Sequence, residues 1–116
     1  MRKKITVVTM GQSPVDPQTH DVYRMLAQAC DVELRGILDG MSEAETETLA
    51  PEGGELFIVT SLRTGREVRL AERNAIRLVN ERLLEAEQSG SAAALILCTG
   101  HFDIPEMRMP VFIPEK

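Results

Sequence analysis

Six consecutive apolar residues, Ala92 to Leu97, separate Ser91 from Cys98, and no other stretch constrains the fold more. A run that short and that continuous reads as a central parallel strand covered on both faces, since a half-exposed strand would alternate with polar residues. Ile5-Thr6-Val7-Val8-Thr9 is a second such run, rich in β-branched residues and closed by Met10-Gly11-Gln12-Ser13-Pro14, whose Gly and Pro mark a loop. Two buried strands of this kind need helices between them, because parallel neighbours cannot be joined by a tight turn.

The intervening residues supply those helices. Thr19 to Ala29 carries Val22, Met25, Leu26 and Ala29 at the spacing of one apolar helix face. Val32 to Leu38 reads as the next strand, ended by Asp39-Gly40. Ser42 and Glu45 match a capping box that opens a short acidic helix reaching about Leu49. After the break Pro51 to Gly54, Leu56 to Thr60 and Glu67 to Leu70 flank Arg63-Thr64-Gly65-Arg66, the pattern of a β-hairpin. The longest helix is expected over Ala71 to Ser89, with Ile76, Val79, Leu83 and Ala86 as its stripe and Gly90 as its cap. Met109 to Ile113, bracketed by Pro110 and Pro114, reads as a short edge strand. The fold class is therefore α/β: a Rossmann-like three-layer α/β/α arrangement with a mostly parallel sheet and an inserted β-hairpin. At 116 residues, 43% of them hydrophobic, residues 1–116 form a single domain with its own core.

Charge and cysteine content narrow the function classes. Thirteen Lys and Arg against 18 Asp and Glu give a formal net charge of -5, which argues against nucleic acid or an anionic membrane as partner. Met1 to Lys4 runs directly into a strand, and no apolar run is long enough for a membrane span, so a cytoplasmic location is expected. The two cysteines, Cys30 and Cys98, have no metal-ligand spacing to each other or to His20 and His101; no metal and no cofactor is expected.

In a parallel sheet every strand's carboxyl end points to one edge, and that edge is where open α/β sheets bind ligands. The Met10 to Asp16 loop, Asp39-Gly40 and Cys98-Thr99-Gly100 all leave strands there. If the two strongest strands are neighbours, Gln12, Ser13 and Cys98 converge. Gly11-Gln12-Ser13-Pro14 offers close backbone approach, an amide and a hydroxyl to a carboxylate or phosphate-sized anion seated beside the N-terminus of the helix that follows. Arg63 could clamp a carboxylate, although a turn arginine is equally a solvated surface charge. Cys98 is either a small core hydrophobe or a thiol facing a loop whose N–H groups stabilise a thiolate; His101, three residues on, could pair with it. Cys30 closes an amphipathic helix and reads as structural. Glu43, Glu45 and Glu47 spread around their helix and read as a solvated face.

Taken together, Gly11-Gln12-Ser13-Pro14 with Asp16, Leu38-Asp39-Gly40, Ala50-Pro51-Glu52, Leu56 to Thr60 with Leu62-Arg63 and Gly65, and Leu95 to Gly100 with Phe102 resemble the AroM protein family, in order, over nearly the whole chain. That family is similar to the aspartate/glutamate racemase superfamily, whose members set two α/β domains around a cleft and exchange a substrate α-proton between two cysteines. The resemblance implies a cofactor-independent racemase or isomerase. By that resemblance Cys98 is the candidate catalytic thiol, and Gln12, Ser13, Thr99, Gly100 and Arg63 are expected to contact a small carboxylate. It also implies a second α/β domain or a homo-oligomer as partner, with residues 1–116 corresponding to the first of the two domains of full-length family members. The racemases usually place an Asn between that cysteine and the Thr, whereas Thr99 follows Cys98 directly. A binding or regulatory domain without catalysis, or an inactive fragment, is the alternative.

Overall fold

A computed structural model describes residues 3–14, 16–97 and 107–113. Cys98, Thr99, Gly100 and His101 lie outside the described residues. Four strands form the main sheet: β1 (Lys4–Thr9), β2 (Asp31–Gly36), β5 (Ala93–Leu97) and β6 (Val111–Phe112), in the order β2-β1-β5-β6. Every pairing in it is parallel. The two strongest apolar runs are thus neighbours at the centre, as their composition requires.

Between β2 and β5 the chain builds α2 (Glu43–Glu47), the antiparallel hairpin β3 (Phe57–Ser61) and β4 (Glu67–Ala71), and α3 (Glu72–Gln88). The hairpin forms a two-stranded sheet of its own. α2 begins with the expected capping box: the Glu45 N–H donates to Ser42 Oγ (3.2 Å) and the Ser42 N–H to Glu45 Oε1 (3.1 Å), so two N–H groups at the helix start are satisfied.

One core joins both sheets. Val8, Ala94 and Ile96 on one face of the main sheet, Leu70 of the hairpin, and Leu78, Val79, Leu83 and Ala86 of α3 form a single buried cluster with Ile37 and Leu38. Burying side chains of the size of Leu78 or Leu83 stabilises the fold by about 1.5–3 kcal/mol each. The fully buried polar residue on that sheet face, Thr6, is accommodated by a hydroxyl bond to Ser91 Oγ (2.6 Å), which ties β1 to the segment leading into β5. Val7 is fully buried on the opposite face.

Three expectations need correction. The first helix, expected over Thr19 to Ala29, is a 3-10 turn at Pro17–Thr19 followed by α1 (Asp21–Leu26). Pro17 sits at the start of the 3-10 turn and Asp16 caps it, so the chain spends its first turn outside the α-helix, and Met25 ends up exposed rather than in a stripe. On α3 the buried face runs through Ala75, Leu78, Val79, Leu83 and Ala86, and Ile76 is only partly covered. β5 alternates, with Ala94 and Ile96 buried and Leu95 and Leu97 half-buried, because α3 packs on one face only. The acidic residues of α2 are exposed, as expected, and two of them, Glu43 and Glu47, one turn apart, also hold Arg66 of the hairpin turn (2.7 and 3.1 Å).

Candidate functional site

β1 stands between β2 and β5, so the chain leaves it first to one side and later to the other. The crevice beyond its carboxyl end is the point where an open α/β sheet receives ligands. Thr9 pairs with Gly36 on one side and with Leu97 on the other. Three segments therefore meet at that edge: the loop after Thr9, the residues after Gly36, and β5, whose last residue directly precedes Cys98 in sequence.

The first two segments interlock through their backbones. The Ile37 N–H donates to the Thr9 carbonyl and the Leu38 N–H to the Gly11 carbonyl (both 3.0 Å), extending the pairing past the strand ends. The approach is so close that a Cβ at Gly36 would lie 2.5 Å from the Gly11 carbonyl oxygen and 2.6 Å from the Ser13 nitrogen. At Gly11 a Cβ would lie 2.7 Å from the Ser61 carbonyl oxygen of the hairpin. Only glycine permits both contacts.

Asp39 locks this arrangement. Its Oδ1 accepts from the Ser13 N–H (2.8 Å), and its Oδ2 accepts from Ser13 Oγ (2.6 Å) and from the Gly36 N–H (2.8 Å). The Ser13 hydroxyl proton is thereby committed to a carboxylate, so toward any ligand Ser13 Oγ offers a lone pair and no donor. Arg63 completes the cluster. Its Nε donates to the Ser13 carbonyl, and one Nη lies 3.4 Å from both Ser13 Oγ and Asp39 Oδ1; its other Nη takes part in none of these bonds. The Arg63 N–H donates to Gln12 Oε1 (2.9 Å), while Gln12 Nε2 reaches the Leu38 and Met41 carbonyls at 3.4 and 3.5 Å.

Gln12, Ser13 and Arg63, singled out from sequence, are thus brought together, and each works first as a strut between β1, β2 and the hairpin. The residue that sequence reasoning passed over is Asp39, read only as half of an Asp-Gly turn. Its signal was Gly36, a glycine at the end of a strand where close backbone approach is the usual reason for one. The expected anion seat at a following helix N-terminus is not formed, since the chain enters a 3-10 turn there and α1 starts only at Asp21. Arg63 lines a recess of about 380 Å³ with Gln12, Pro14, Ser61 and Leu62. On the other side of Ser13 and Pro14 a second recess, of about 350 Å³, runs past Pro17 and Tyr23 along Val32 to Leu34. Among the described residues no group of three or more His, Cys, Asp or Glu could hold a metal ion, and no helix is long and apolar enough to cross a membrane.

Cys30 belongs to the opposite end of the sheet. It precedes Asp31, which pairs with Lys4 at the amino end of the strands. The six residues of β2 separate that end from Gly36 by about 17 Å at ~3.3 Å per residue.

The family model described as AroM protein matches residues 5–116. No curated protein and no solved structure matches the chain.

Proposed function

Because the chain belongs to the AroM protein family, we propose that it supplies one half of a small-carboxylate site of the racemase and isomerase kind, with Cys98 as its thiol. The observation that carries this reading is the parallel pairing of β1 with β5, which brings the residue before Cys98 level with Thr9, three positions before Gln12. Arg63 is the donor for the carboxylate, Gln12 and Ser13 form the wall beside it, and Thr99 and Gly100 follow the thiol in sequence. A thiolate at Cys98 would take the α-proton from one face of the substrate.

Two-base exchange needs a second acid or base on the opposite face. Cys30, at the far end of β2, is too distant to be that group. The second group therefore comes from outside these residues, from a further α/β domain or from another subunit, and the 116-residue chain by itself does not racemise.

A second reading has its own support. Gln12, Ser13, Asp39 and Arg63 form a closed polar network that needs no thiol, as suits a binding or regulatory domain. Reactivity separates the two. Alkylation with iodoacetamide across pH, read by mass spectrometry, is expected to label Cys98 much faster than Cys30, with a midpoint well below ~8.5, the value for a free thiol. Equal, slow labelling of both cysteines would overturn the thiol reading in favour of the binder. Cys98-dependent conversion of L-aspartate or L-glutamate to the D enantiomer by this chain alone would overturn the half-site.

A further inference from the structure

The hairpin carries an open strand edge, and the phase of its hydrogen bonds says which residues form it. The Leu62 N–H donates to the Arg66 carbonyl and the Glu72 N–H to the Leu56 carbonyl, both at 2.9 Å. With Phe57 opposite Ala71 and Val59 opposite Arg69, these two bonds make the even-numbered residues of β3 the ones bonded to β4. Phe57, Val59 and Ser61 consequently turn their N–H and C=O groups to the other edge. The Ser61 carbonyl meets Gly11 there; Phe57 and Val59 meet no backbone partner among the described residues.

Sheet edges in soluble proteins are normally blunted by charge, brevity or cover. The other edges described here follow that rule. β2 carries Asp31, Glu33 and Arg35; β6 is two residues long and follows Pro110; β4 bears Glu67 and Arg69 and leads from the turn that α2 holds through Arg66. β3 does not follow it. Leu56 to Ser61 contains no ionisable side chain, and Leu56, Phe57 and Val59 are 72%, 46% and 54% exposed.

From the unpaired Phe57 and Val59 backbone groups we infer that β3 is a docking edge for β3 of a second copy of this chain, joined antiparallel about a two-fold axis at Ile58. In that register Phe57 faces Val59 of the second copy and Val59 faces its Phe57. These are aromatic to β-branched cross-strand pairs, among the favourable kinds. The two residues with open backbone groups on each strand exchange all of them, and the Ser61 carbonyl against Gly11 is not disturbed. Each chain carries a net charge of -5, so two copies repel over most approaches; the uncharged β3 is a place where they meet without opposing like charges. An isologous contact of this kind closes at two copies. The pairing ends at Val59, four residues before Arg63, on the strand that leads into the hairpin turn bordering the recess.

Sedimentation of the 116-residue chain across a concentration series is expected to show a monomer–dimer equilibrium. Val59→Lys, which adds a cation opposite Arg69 in each copy and so gathers like charges along the seam while leaving the core untouched, is expected to be monomeric with an unchanged far-ultraviolet circular dichroism spectrum. Amide hydrogen exchange supplies a second readout: the Phe57 and Val59 N–H groups gain protection as the concentration rises, while those of Ile58 and Thr60 are protected throughout. A chain that stays monomeric over the whole range, a Val59→Lys variant that dimerises as well as the wild type, or Phe57 and Val59 amides that exchange freely in the dimer would overturn the inference.

Discussion

Replacing Asp39 by alanine tests the architecture of the site most directly. The carboxylate accepts the Ser13 N–H, the Ser13 hydroxyl and the Gly36 N–H at 2.6 to 2.8 Å. In Asp39→Ala the hydroxyl can turn to water, but two backbone N–H groups lose their acceptor, both on residues that are themselves buried. Each orphaned donor costs about 1–3 kcal/mol. The Asp39 side chain is 29% exposed, so water entering the vacated space recovers part of that loss, and the net destabilisation is roughly 2–4 kcal/mol. Against a total stability of about 5–15 kcal/mol this is a large fraction. At ~4 °C per kcal/mol for a domain of this size it lowers the Tm by roughly 8–16 °C. Thermal and urea unfolding followed by circular dichroism measure it, with the urea slope unchanged if the denatured state is unaffected. Asp39→Asn keeps one acceptor but turns an amide NH₂ toward one of the N–H groups, so it falls between the two. A Tm for Asp39→Ala within ~2 °C of wild type would refute the claim that this carboxylate holds the loop.

Two further outcomes follow from the same geometry. Gly36→Ala drives a Cβ into the Gly11 carbonyl and the Ser13 nitrogen, backbone atoms that cannot swing aside, and is expected to cost about 1–3 kcal/mol or more in urea unfolding; an unchanged midpoint would count against it. Glu33 is partly buried, which by itself raises its pKa. Hydrogen bonds and charge from Lys4 and Arg35 outweigh that burial and hold its carboxyl below the usual glutamate range. A depressed folded pKa contributes stability above the unfolded value of about 4.3 that is lost as pH falls through the folded one. Glu33→Gln should therefore narrow the gap to wild type below pH ~4 and widen it above pH ~5; parallel stability curves for the two proteins would disprove the assignment.

How far the sequence predicts this molecule depends on whether a residue's role is written in its own neighbourhood. β1 and β5 were legible because burial at the centre of a parallel sheet demands continuous apolar runs, and the capping box at Ser42 because both partners lie within four residues. The first helix misled because Val22, Met25, Leu26 and Ala29 satisfy the helical period, while Pro17 and Asp16 divert the first turn into a 3-10 form. The stripe of α3 was read through Ile76, its most apolar-looking residue, whereas the buried face begins at Ala75, whose single methyl draws little notice. Asp39 was invisible for a different reason. Its partners are backbone N–H groups, one of them 26 residues away, and a backbone donor carries no residue-type signature. Arg66 with Glu43 and Glu47 is the same problem in charged form, a contact across 23 and 19 residues.

α3 belongs to two sheets at once, and this bears on how the molecule comes apart. The hairpin has one row of inward residues, Ile58, Val68 and Leu70, and they rest on the cluster that α3 shares with Val8 and Ile96 of the main sheet. A two-stranded ribbon is barely stable alone, so β3 and β4 have no separate melting event; they open when α3 leaves the sheet. Arg63, on the turn between them, is consequently as persistent as the central strands, although it sits on the surface. Its amide neighbours on the β4 ladder should exchange in the slowest class, together with Val7 and Ile96. Length changes between Leu62 and Arg66 would re-aim the guanidinium without touching that cooperative unit, so under the proposed carboxylate site the turn is where ligand choice can drift while the fold stays constant.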